Sequence, residues 1–155
     1  MGRSFVAAAP AAEPPCRAVS SSEAAFLQSK SPTSQDLINA TWGAEALLPL
    51  LWAIRRIQTF PTPDSLCDLP LVRSALPPFL GSTGDFVSRS TLRAEAEIMD
   101  AHERTYHAHW AVRDALINGG RTLDLAKPEI LEERHRALKW LIFPDVKWDD
   151  VSADT

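Results

Sequence analysis

Residues 91–120 read TLRAEAEIMDAHERTYHAHWAVRDALINGG. Good helix formers fill it, no proline interrupts it, and Gly119-Gly120 closes it, which predicts a long helix beginning near Ser90. At about 100° per residue, Leu92, Met99, Tyr106, Trp110 and Ile117 fall on one apolar stripe, so this stripe is expected to face the core. The middle of the segment, DAHERTYHAHW (100–110), is a near-miss of the zinc-protease pattern H-E-x-x-H, with Tyr106 where the second histidine would stand. His102 and His109 are seven residues apart, or about 10 Å of helix rise, too far to share one metal unaided. His107 points away from both. The expectation is therefore no metal site in this stretch, with His102 and His107 partly exposed and His109 one turn from Arg113.

Helical signals continue on either side. Ser20–Ser22 can cap a short helix running to about Gln28, with Glu23 in its first turn. Ser34 can cap a second long helix from about Gln35 to Ile57. Pro49 lies inside it and removes a backbone donor, so a kink is expected. A proline-punctuated connection follows, with a short helix near Leu71–Leu76 and a turn at GSTGD (81–85). Pro128 opens a last helix that runs to about Phe143. The acidic tail is irregular, with Trp148 as its anchor. Strand signals are nearly absent, because β-branched residues are few and do not alternate. The expected fold class is all-α: a single irregular bundle of about four or five helices, two of them long, with few or no strands.

Length and composition set further bounds. A chain of 155 residues with 45% hydrophobic residues can own one hydrophobic core. Residues 1–22, rich in Ala, Pro and Ser, read as a disordered arm, and residues 23–155 as one helical domain. A net charge of −4 with no block of Lys or Arg argues against a nucleic-acid surface. The most apolar run, Ala44 to Ile54, is far short of the ~20 residues of a membrane span. Two cysteines, Cys16 and Cys67, make no disulfide framework, so a reducing, cytoplasmic setting is expected.

The candidate site comes from polar residues on apolar faces. On the last helix Arg134 falls inside the stripe formed by Ile130, Leu131, Ala137, Leu138, Leu141 and Ile142, and His135 sits at its edge. On the first long helix Glu45 falls among Ile38, Trp42, Leu48 and Trp52. Buried charges need partners. Glu45, His109, Arg113, Arg134 and His135 are therefore expected to form one buried or half-buried network across three helices, with Glu133 beside it. If the network is sealed, it fixes helix register. If it opens to solvent, an arginine could hold a small anion while a histidine moves a proton. No nucleophile motif, phosphate loop or cofactor motif accompanies it. Trp42, Trp52 and Trp110 fit core stripes. Trp140 falls on the outward side of its helix, so Trp140, Trp148, Asp149 and Asp150 form a candidate contact surface.

Several runs resemble the mainly bacterial family called domain of unknown function 4272. They are SPTSQDLINATWGAEALLPLLWAI, PDSLCDLP, EAEIMDAHERTYHAHWAVRDALINGG, EILEERHRALKWL and WDDVSADT, in that order over about residues 23–155. His109-Trp110, Arg113-Asp114, Glu133-Arg134-His135 and Trp148-Asp149-Asp150 carry the resemblance most specifically. It implies an all-α intracellular protein and transfers no catalytic residue. Family members usually carry a basic residue where this chain has Gly43, which would leave Glu45 short of a partner. They are also commonly longer at the N-terminus, which would leave core surface uncovered here, with self-association as one remedy. The favoured expectation is a helical binding or structural protein without cofactor or metal. Its partner would be another protein or a second copy. The rival is an enzyme or anion binder using the Glu/His/Arg cluster.

Overall fold

The last helix carries the most amphipathic sequence of the chain, PEILEERHRALKWLI, and the rest of the fold is arranged around it. The computed structural model describes residues 19–78, 81–120 and 127–154, all-α, with no strand among them. Its helices are α1 (Ser21–Gln28), α2 (Ser34–Ala53), α3 (Leu69–Ala75), α4 (Gly84–Ser88), α5 (Glu95–Asn118) and α6 (Pro128–Ile142), and a 3-10 turn spans Trp148–Asp150. α6 packs against α5 on one side and α2 on the other, and α3 leans on α2. Six α-helices thus stand among the described residues, where about four or five were expected. The addition is α4, a single turn formed from the end of the predicted GSTGD turn. Of the predicted arm, residues 1–18 lie outside the described residues.

Local chemistry sets the helix starts. Ser20 accepts from the Glu23 N–H at 3.3 Å, and the Glu23 carboxylate accepts from the Ser20 N–H at 2.8 Å. Thr33, rather than Ser34, caps α2, through the same reciprocal pair with Asp36. Pro49 lies inside α2 as expected and is buried. α2 stops at Ala53, four residues before the predicted end, because Arg55 takes a left-handed φ of 62°. Arg93 then caps the freed end. Its Nε donates to the Trp52 carbonyl at 2.8 Å and its Nη2 to the Ile57 and Gln58 carbonyls, while its guanidinium lies 4.7 Å over the Trp52 ring. The Arg93 N–H also donates to the Ala53 carbonyl at 2.8 Å. That bond holds Thr91–Ala94 out of helix, so α5 begins at Glu95 rather than near Ser90. Gly119, at φ 70°, ends α5 as expected.

The core gathers Leu48, Leu51, Trp52, Ala53, Ile57, Val72, Ile98, Ala101 and Leu138. Trp52 meets Phe60 edge to face at 5.1 Å. The expected core stripe of α5 is reversed. Leu92, Met99, Tyr106, Trp110 and Ile117 are all exposed, Trp110 at 50% and Ile117 at 75%. The buried face is Ile98, Ala101, Thr105, His109 and Val112, spaced three and four apart. These are smaller residues, so α6 can approach closely and leave room for imidazole rings. A helix with two apolar stripes does not declare from one wheel which one is covered. Ile38 at the exposed start of α2 is also outside the core, and Trp42 is half-buried.

Candidate functional site

Arg134 and His135 are neighbours on α6 and point about 100° apart, so each serves a different helix pair. Arg134 turns to α2 and is 1% exposed; Glu45, 2% exposed, meets it there. Arg134 Nε and Nη2 donate to Glu45 Oε2 at 3.1 and 2.9 Å. Its Nη1 donates to the Pro61 and Thr62 carbonyls at 3.1 and 2.9 Å, and Nη2 to the Ser65 carbonyl at 3.3 Å. A guanidinium has five N–H bonds, and these five hydrogen bonds, to four acceptor oxygens, use all of them. Glu45 Oε1 accepts from the Cys67 N–H at 2.6 Å. The ion pair therefore stitches α2, α6 and the connection from Pro61 to Cys67 together, as a charge-assisted set with no donor left over. Burial, followed by the adjacent Glu45 carboxylate, pushes the Cys67 thiol up to about 11.

His135 turns to α5. Its Nδ1 lies 3.2 Å from Nδ1 of His109, both rings buried, so one ring donates and the other accepts. Burial holds both imidazoles below their ordinary value of 6.5, and His135 falls to about 4, with His102 and His109 nearby adding to the effect. His102 is half-buried, its ring 5.1 Å from that of His135. Burial lowers its pKa too, and its Nε2 is buried without a hydrogen-bond partner. Thr105, on the same face of α5, returns its hydroxyl to the Ala101 carbonyl at 2.8 Å.

The single network expected across three helices is thus two separate units. Glu45 and Arg134 form one, and His109 and His135 form the other, with the partly exposed His102 beside them. Arg113 belongs to neither: it is exposed on the outward side of α5, where its charge opposes protonation of His109. Glu133 also stands apart, paired with Arg136 at 2.6 Å. Glu45 does not lack a partner through Gly43, because Arg134 supplies it from 89 residues along the chain. A Cβ at Gly43 would meet nothing within 4 Å. Among the described residues, no group of three or more His, Cys, Asp or Glu has an arrangement that could hold a metal ion.

The expected contact surface is partly spent inside the molecule. Trp140 and Trp148 meet edge to face at 5.6 Å, and Arg136 lies 4.7 Å over Trp148. Asp149 accepts from the Ser22 N–H at 3.0 Å and the Ser22 hydroxyl at 2.5 Å, so it tethers α1, and these bonds hold its carboxyl below the usual range. Asp150 is exposed. A cavity of about 620 Å³ lies between the start of α1 and the tail, lined by Trp140, Lys147, Trp148 and Asp149. A second, of about 720 Å³, separates α1 from α2 and is lined by Phe26, Leu47 and Arg136. Sequence reasoning missed Arg93, whose role depends on carbonyls 35–41 residues earlier in the chain; no local pattern announces it.

The sequence model of the family described as Domain of unknown function (DUF4272) matches residues 7–151. The chain belongs to this family. The match reaches further toward the N-terminus than the resemblance over 23–155 indicated. No curated protein and no solved structure matches the chain. Membership in the family brings no activity. No described helix is long and apolar enough to cross a membrane.

Proposed function

We propose that this chain is a non-catalytic binding protein of the cytoplasm. In this reading the buried polar groups hold the helices in register, and the exposed face of α5 meets a protein partner. One observation carries it: all five N–H bonds of Arg134 are spent on Glu45 and three backbone carbonyls. An anionic ligand would have to displace a partner already in place, inside a site of 1–2% exposure. The histidines support the same reading, since buried neutral imidazoles bonded to each other offer solvent no acid or base. The aromatic and aliphatic side chains beyond core needs lie instead on the outside of α5.

The test substitutes Arg134. An Arg134→Met chain leaves Glu45 buried and unpaired, which typically costs about 3–5 kcal/mol, so a large fall in the urea midpoint is expected. Calorimetric titration of the wild-type chain with phosphate, sulfate and acetate should show no binding. Saturable binding of one of these anions, lost in a folded His109→Asn chain, would instead establish the cluster as a site and overturn the reading.

A further inference from the structure

Among the exposed side chains of α5, Ala96, Met99, Glu103, Tyr106, Trp110, Arg113 and Ile117 form one stripe. They recur at alternating steps of three and four residues, on the side opposite Ile98, Ala101, Thr105 and Val112. That is the spacing of a coiled-coil seam turned outward. The order of residues along it has a specific property. When a second α5 is laid antiparallel across the first, with the two-fold axis at Ala108, each position meets the one equally far beyond the axis. Met99 then meets Ile117, Glu103 meets Arg113, and Tyr106 meets Trp110. Ala96 falls opposite Gly120, two small residues where the helix ends converge.

We propose that this face pairs two copies of the chain antiparallel about that axis, an inference that rests on reading the outside of α5 as the binding surface. Each class of side chain finds its complement: aliphatic on aliphatic, aromatic on aromatic, acid on base. A two-fold interface requires such self-complementarity, and a face shaped for an unrelated partner does not. Glu103 and Arg113 are both exposed in the single chain, and Arg113 takes part in no ion pair among the described residues. By symmetry the pair would form twice. Of the flanking acids, Asp100 comes opposite Leu116 and Asp114 opposite His102, and each acid is already engaged within its own helix, by Arg104 and Asn118. The seam from Met99 to Ile117 is about 27 Å long at 1.5 Å per residue. One helix of that length covers less than the roughly 800 Å² per partner of a standard interface, so pairing is a concentration-dependent equilibrium.

Sedimentation velocity of the full chain, from about 10 to about 500 µM, tests this. The mass should rise from 17.1 kDa toward twice that value. Trp110→Glu should hold the chain at the monomer, with a Tm unchanged at concentrations where the wild type is monomeric too, since the residue lies outside the core. Glu103→Arg and Arg113→Glu should each weaken pairing about tenfold by placing like charges together, and the double variant should recover most of it. A wild-type chain monomeric throughout overturns the proposal, as does a dimer indifferent to Trp110→Glu or a double variant weaker than both singles. A monomer that binds a different protein through Trp110 also overturns it, and leaves the reading as a binding protein standing.

Discussion

Arg134 and His135 show what one residue's step along a helix decides. Both were legible as polar intrusions on the apolar face of α6, because a charged or imidazole side chain there needs a partner. Which partner was not legible, since the answer lies in helix placement. Arg134 found Glu45, and His135 found His109; Arg113, one turn beyond His109, stays exposed to solvent. His135 carries a pH signature. Its ordinary value is 6.5 and burial lowers it to about 4 in the folded chain. As pH falls from 6.5 toward 4 the unfolded chain takes up a proton that the folded chain refuses. Stability is thus fully present above 6.5 and declines through that window, by up to roughly 3 kcal/mol at its foot. Urea midpoints at intervals between neutral pH and the lower edge of the window should fall accordingly, and a His135→Asn chain should show a shallower slope. A flat profile in the wild type would mean that His135 is not excluded from the proton.

At the scale of elements, the helices themselves were readable and their orientation was not. Capping pairs, Pro128 and Gly119 marked ends to within a few residues. The early stop of α2 comes with the left-handed Arg55, and Arg93, which caps that end and delays the start of α5, reaches across the fold and therefore leaves no trace in local periodicity. The reversed face of α5 has a related cause: the large residues on the wheel suggested burial, while the small ones on the other side allowed α6 to approach. α1 is an element held by little. It buries no residue, and its first turn is tied to the tail by Asp149. An Asp149→Ala chain should be cut faster by protease in the connection between α1 and α2, while the Tm of the remainder stays close to wild type. Equal cleavage rates would show that the partly buried Phe26 holds α1 without the tether.

For the whole molecule, α6 is the axis on which the two polar units meet, one per neighbour. Glu45–Arg134 fixes α2 and the Pro61–Cys67 connection; His109–His135 fixes α5. Hydrophobic packing alone would tolerate sliding by a turn, whereas buried donors and acceptors penalise every register but one. The outside of α5 is then free to present its apolar face. This division between a closed polar interior and an outward binding face is the account's central claim. It is tested most directly by nitrogen-15 NMR of the histidine side chains of the full chain as pH is lowered through 6.5 with and without added phosphate. The account predicts that His109 and His135 stay neutral, with one Nδ1 protonated and the other bare, and that phosphate leaves their shifts unmoved. Two imidazoles that gain a proton at their ordinary value, and move when phosphate is added, would show an open site and contradict it.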